Sequence, residues 1–213
     1  MTSSGLQRST ARSGSRRIDG VAVGLVIDNQ DPQALGRVRL RFPALSDDEI
    51  GHWARMAVLM AGADRGTFFL PDVGDEVLVA FEHGDIARPY VVGGLWNGQD
   101  KPPEVNAGGK NDLRLVKSRS GHLIRLDDTD GAEKIEIIDK SGGNSLTIDT
   151  ANNAITITSA ADVTIDAPQG TLTLNAQTIE ITSSADTEVS AGGTLTLKAS
   201  GASTLRGSTV DIN

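Results

Sequence analysis

The chain has 213 residues, a formal net charge of −8 and no cysteine, which leaves room for two small domains and excludes disulfides and thiolate metal sites. The acidic balance disfavours a nucleic-acid partner. The longest apolar run, Met56 to Ala61, falls far short of the roughly 20 residues that span a bilayer.

The first twenty residues carry Arg8, Arg12, Arg16 and Arg17 but no apolar core, so they do not read as a secretory leader. Residues 1–19 are expected to be a disordered basic arm, with docking on an acidic neighbour as its functional alternative. From residue 20 to 100 the pattern is one of short strands. Val21 to Ile27 is an apolar run, the sequence DNQDP at 28–32 is turn chemistry, and Arg37 to Phe42 alternates arginine with Val, Leu and Phe before Pro43 stops it. Arg37, Arg39 and Arg41 share one face of that strand, read as an ordinary solvated face. An acidic loop at Ser46 to Glu49 precedes a third strand, Trp53 to Met60, and a turn at Asp64 to Gly66 leads to Phe68, Phe69 and Leu70.

Glu76 to Phe81 is apolar on both faces. Val77, Val79 and Phe81 point one way, into a core, while Leu78 and Ala80 point the other, towards another subunit. A turn at His83 to Asp85 returns the chain through Pro89 to Val92, and Gly93 to Trp96 closes the set. Five or six short strands without a helix-period stretch predict a small closed barrel of the OB kind.

Residues 101–134 read as linker and neck, and from 135 to 213 the chain repeats. Aliphatic pairs separated by one residue recur as Ile135/Ile137, Leu146/Ile148, Ile155/Ile157, Val163/Ile165, Leu172/Leu174, Ile179/Ile181, Leu195/Leu197 and Val210/Ile212. Their spacing of about eight residues, with Gly, Asn, Asp, Ser, Pro and Ala between them, predicts a β-solenoid of strand-plus-bend units. Two aliphatics per octad contribute roughly 3 to 6 kcal/mol by burial, against about 8 to 16 kcal/mol for fixing eight backbones. A lone octad therefore cannot fold, and either one chain coils on itself or three chains wind together. The absence of Phe, Trp and Tyr from Ser141 onward favours the narrow three-chain prism, whose closure also removes lateral sheet edges. About ten units stacked at about 4.8 Å would make a rod roughly 50 Å long. The expected shaft core is Val163, Ile165, Leu172, Leu174, Ile179, Ile181, Leu195 and Leu197, while Val210, Asp211, Ile212 and Asn213 form the last, unpaired rung. From Ser141 to the end there are seven acidic residues and two basic ones, so the sides of the rod are thinly charged.

Catalytic chemistry finds little support. The carboxylates of Asp127, Asp128 and Asp130 have a calcium-like spacing, yet DDTDG between two apolar pairs is turn sequence and supplies too few ligands. His52, His83 and His122 lack paired spacing. Glu82 and Asp85 flank a tight turn without a pocket to raise one pKa, so they do not make a glycosidase pair. No cofactor or metal is expected, and the chain is read as a non-enzyme. The alternative is an OB binding module for single-stranded nucleic acid or polysaccharide on a β-helix stalk. Against it, the sequence places no paired aromatics on strands near Arg37, Arg39 and Arg41 to serve as stacking platforms.

The runs VIDNQDPQALGRVRLRFP (26–43), WARMA (53–57), AGADRG (61–66), FLPDVGDEVLVAFEHGD (69–85) and RPYVVGGLWNG (88–98) resemble the OB domain of contractile-tail central spikes. That family comprises phage baseplate assembly protein V and the valine-glycine-repeat spikes. The resemblance continues through KNDLRLVKSRSGHLIRLDDTDGAEKIEIIDKSGGNSLTI (110–148) into the repeat. It implies an all-β homotrimer, with an N-terminal OB barrel followed by an intertwined triple-stranded β-helix. It further implies a structural spike that plugs the tube of a phage tail or injection particle and pierces the target envelope on sheath contraction, in transient contact with the target membrane. The implied partners are a hub protein at the OB end, inner tube and baseplate proteins, and a small conical PAAR-like tip protein at Val210 to Asn213, with assembly in the bacterial cytoplasm. Three departures from relatives are expected to matter. No hub domain precedes the barrel, no lysozyme-like domain separates barrel from repeat, and the final residues lack an iron-binding His-X-His.

Overall fold

The computed structural model describes residues 17–44 and 50–211. The N-terminal arm up to residue 16, the acidic loop at 46–49, Ile212 and Asn213 lie outside the described residues. Two units divide the chain between Ala160 and Ala161.

In the first unit, alternation of aliphatic and polar residues builds a closed barrel from β1 (Val21–Asp28), β2 (Val38–Arg41), β3 (Ile50–Met56), β6 (Glu76–Phe81) and β7 (Pro89–Gly94), in the order β1-β2-β3-β7-β6. All neighbours are antiparallel except β3 and β7, which pair in parallel through Arg55 and Tyr90 to close the ring. Alternate residues turn inward, as the pleat requires. Val26, Val38, Leu40, Phe42, Ala54, Val77, Val79, Phe81 and Val91 form the core, with the rings of Phe42 and Phe81 tilted together at 5.5 Å. Gly51 allows β3 to cross this core closely, because a Cβ there would lie 2.8 Å from the Leu40 carbonyl oxygen. The barrel reaches upstream of residue 20. Ile18 donates to the Gly84 carbonyl and packs against the core, and the Arg17 guanidinium donates to the His83 carbonyl at 2.8 Å.

The third strand ends at Met56 rather than at Met60. Ala57 N–H still bonds Val91 O at 2.8 Å, but Val58, Leu59 and Met60 then leave the barrel exposed. They lead into a short hairpin of β4 (Ala61–Gly62) and β5 (Arg65–Gly66), reversed at Asp64 with φ 53°. Phe68 to Leu70 follows the hairpin as irregular chain.

Also in the first unit, β8 (Leu113–Lys117), β9 (Leu123–Asp127), β10 (Lys134–Ile138), β11 (Ser145–Asp149) and β12 (Ala154–Thr158) form a five-stranded antiparallel meander. Residues 135–158, which the rhythm groups with the shaft, continue a sheet begun in the neck, and residues 101–134 contribute two of its strands. The cause is turn chemistry, since every reversal carries one residue at positive φ: Gly121, Gly131, Gly142 and Asn153. A tight hairpin needs such a residue. No described residue beyond Asn153 has positive φ, and the meander stops at β12.

The second unit, 161–211, contains no strand among its described residues, and all of them are exposed.

Candidate assembly interface

One face of the meander is almost entirely aliphatic. Cross-strand register places Val116, Ile124, Ile137, Leu146 and Ile157 in one row. The same ladders place Arg114, Leu126, Ile135, Ile148 and Ile155 in a second row on the same face. Nine of these ten are aliphatic. Arg114 stands at the edge strand with its guanidinium on Asp128, 2.9 Å away. Apart from partly buried Leu146, the aliphatics remain 38 to 71 % exposed, so one whole face of a regular sheet has no cover in the single chain.

The opposite face is mixed, with partly buried Leu113, Leu115, Leu123 and Ile138 beside polar and charged residues that pair with one another. Glu136 is buried and bonded by Arg125 directly across the ladder, with Lys134 at 3.4 Å. The hairpins beneath are tied by their own carboxylates. Asp127 accepts from the Thr129 hydroxyl and N–H, Asp139 from Ser141 and Asn144, and Asp149 from Asn152. These bonds, led in each case by the side-chain donor, hold all three carboxyls below their ordinary pKa. The sequence DDTDG is thus a hairpin turn. No group of three or more His, Cys, Asp or Glu side chains is gathered as a metal site among the described residues.

In the second unit Val163, Ile165, Leu172, Leu174, Ile179, Ile181, Leu195 and Leu197 are all exposed, between 52 and 84 %. A single chain brings none of them into a core. Val210 and Asp211 are exposed as well. By contrast Val77, Val79 and Phe81 are buried inside the barrel, while Leu78 and Ala80 face outward beside Val23 and Val21 of β1.

Arg37, immediately before β2, departs most from the sequence reading. Arg37 is not a solvated side chain: it forms a two-pronged pair with Asp31 at 2.7 and 2.8 Å and lies over the Trp53 ring at 5.9 Å. Asp31 also accepts from the N–H groups of Gln33 and Leu35. The Arg37 bond foremost, then these backbone donors, hold its carboxyl far below the usual range. Arg55 lies over Tyr90 at 5.5 Å. Aromatics therefore do accompany arginines on this wall, and the reading that none were near is corrected. Their pairing was hidden because Tyr90 reaches Arg55 only through the parallel β3–β7 contact. Glu82 and Asp85 are structural, Glu82 accepting from Arg88 and the Tyr90 hydroxyl and Asp85 from Ala87 N–H.

The described chain thus combines a closed OB-type barrel with a sheet and a repeat whose aliphatic side chains are exposed. Residues 22–96, about a third of the chain, match the type VI secretion system/phage-baseplate injector OB domain. The chain is similar to the type VI secretion system spike protein VgrG2a of Pseudomonas aeruginosa, 29% identical over 143 residues, 61% of this chain and 17% of that protein. VgrG1a of the same organism is 30% identical over 113 residues, 48% of this chain and 18% of that protein. VgrG3 of Vibrio cholerae is 30% identical over 95 residues, covering 41% and 9%. The matches thus take in less than a fifth of each of these relatives. No helix among the described residues is long and apolar enough to cross a membrane.

Proposed function

We propose that the protein is the structural central spike of a contractile particle, a homotrimer whose chains close an apolar axis from β8 to the last octad. The observation that carries this reading is the uncovered face of the meander, continued in sequence by exposed aliphatic pairs at the same spacing. A contiguous apolar stripe of this kind marks an interaction surface. Eight roughly half-exposed aliphatics represent about 6 to 12 kcal/mol of available burial per chain. That is enough to offset an association cost of about 4 to 15 kcal/mol only when several chains contribute together.

Three sheets, each with one nearly continuous exposed aliphatic face, would close into a prism with those faces inward. Beyond Thr158, where hairpin turns end, strands from three chains would alternate around the axis, giving the exposed pairs of 163–197 their cover. Narrow section, Thr/Ser-rich sides and continuous hydrogen bonding suit a rod driven lengthwise through an envelope. The barrel end would meet the hub and baseplate, and the rung at Val210 to Asn213 would take a conical tip protein. The relatives that this chain resembles are named spike proteins, which supports a structural role.

Light scattering of the purified chain, with its thermal melt, tests the proposal. A mass near three times 22.3 kDa with a cooperative melt is the expected result. A well-folded monomer would refute it. Deleting residues 208–213 is expected to abolish tip capture while leaving the mass unchanged.

A further inference from the structure

A second uncovered surface lies on the barrel, away from the meander. A groove of about 1170 Å³ runs between β3, the start of β7 and the β4–β5 hairpin. Its lining includes Trp53, Phe68, Phe69 and Tyr90, four of the seven aromatics in the chain, together with Met56 and Met60. Its cations are all arginine, with no lysine. Aromatic, Met and Arg enrichment without Lys is the composition of a protein–protein interface core rather than of ordinary surface. Phe68 and Phe69 are 78 and 68 % exposed, and Leu35, also in the lining, is 65 % exposed.

The groove is poorly suited to another copy of the same chain. In the barrel ring, β3 lies across from the β1–β6 seam, whose outer surface is also apolar: Val21, Val23, Leu25, Leu78 and Ala80. In a closed trimer each subunit meets its two neighbours in directions only about 60° apart, so patches on opposite sides cannot both serve the ring. The seam is largely aliphatic, with Glu76 opposite Leu25 as the charge in its two rows, and suits packing around an axis. The groove would bring Arg55 and Arg65 of three chains together, which like-charge repulsion disfavours.

A nucleic acid fits no better. The Trp53 face is taken by Arg37, which is itself held by Asp31, and the Tyr90 ring by Arg55, with its hydroxyl on Glu82. The aromatic faces that base stacking requires are therefore occupied. What the groove offers is exposed Phe and Leu side chains beside two arginines, in a chain that is otherwise net acidic. We infer that the groove docks an extended segment of a different protein, one that alternates carboxylate with large apolar side chains. Carboxylates would meet Arg55 and Arg65, and the apolar groups would cover Phe68, Phe69 and Leu35. The choice of a different protein rests on the trimeric spike reading above. The surface and its chemistry do not.

The test uses the full chain in its purified oligomeric state and two fluorescent 15-residue peptides, one alternating Asp/Glu with Leu/Phe and one with Asn/Gln in place of the acids. Anisotropy is expected to show the acidic peptide binding at least tenfold more tightly. Arg55→Glu with Arg65→Glu should abolish that preference without changing the oligomer mass, and Phe69→Ser should weaken both peptides. Hydroxyl-radical footprinting of the oligomer should leave Phe68 and Phe69 reactive. Equal or absent binding of the two peptides overturns the inference. Protection of Phe68 and Phe69 in the oligomer, or loss of oligomer in the arginine variant, would instead assign the groove to a second copy. Stronger binding of a 15-mer oligo-dT would assign it to nucleic acid. A monomeric mass would refute the spike reading alone, because the peptide comparison would still report on the groove.

Discussion

Leu174 distinguishes a trimeric shaft from a single-chain fold more sharply than any barrel residue. In one chain its side chain is 64 % exposed, so Leu174→Ala should cost an isolated chain almost nothing. If three chains bring this position to a common axis, each loses the exposed share of a burial term worth about 1.5 to 3 kcal/mol for a whole leucine. That is about 1 to 2 kcal/mol per chain and roughly 3 to 6 kcal/mol per trimer, because symmetry repeats the change in one layer. The melting midpoint should fall by about 2 to 8 °C. Leu174→Asp places three carboxylates around one axis and should abolish the trimer altogether. The assay is light scattering for mass and calorimetry for the melt, with Thr173→Ala as the outward-facing control and Leu40→Ala as a barrel control. The barrel variant should lose about 2 to 5 kcal/mol whatever the oligomeric state. A Leu174→Asp protein of trimer mass and unchanged melt would refute the inward assignment.

Ile137 stands mid-row on the uncovered sheet face, and Ile137→Asp is expected to shift the protein towards monomer while the barrel remains folded, as read by mass and near-UV circular dichroism. Gly51→Ala forces a Cβ to 2.8 Å from the Leu40 carbonyl and 2.9 Å from the Phe42 ring. Backbone and packed ring have little room to yield, so a loss of about 1 to 3 kcal/mol is expected in denaturant unfolding. Asp31 has a depressed pKa in the folded state, so its contribution is complete above the ordinary carboxylate range and is lost as pH falls through the depressed value. Asp31→Asn should therefore be less stable than the parent at neutral pH, and the gap should narrow on acidification below about pH 4. A gap independent of pH would mean that the Arg37 pair does not carry the effect.

Much of the barrel was legible because a strand leaves a local mark. The alternation of Glu76 to Phe81 identifies both its faces, and the structure places Val77, Val79 and Phe81 in the core with Leu78 and Ala80 outside. The end of β3 was less legible. Val58, Leu59 and Met60 are apolar and read as strand, yet pairing with β7 ends at Met56, and nothing in three apolar residues reports the loss of a partner strand. The groove escaped for a related reason. Its signal was available as four aromatics outside the regular core alternation, but Trp53, Phe68 and Tyr90 come from separate segments and meet only across the folded barrel. Arg37 illustrates the same limit, since alternation places it on an outer face while its pairing with Asp31 depends on the path of the intervening turn.

The sequence by itself determined the period of the repeat, the positions of its aliphatic pairs and the absence of any local core from Ser141 onward, because these depend on residue type and spacing alone. Only the tertiary structure decided where one kind of sheet ends. Residues 135–158 fold back on the same chain because Gly131, Gly142 and Asn153 take the positive φ that a reversal needs. Residues 161–211 have no such reversal and find no partner strand within the described chain. An aliphatic pair looks the same in both settings. What differs is the turn between pairs, and with it whether hydrogen bonds are satisfied within one chain or left for others to complete.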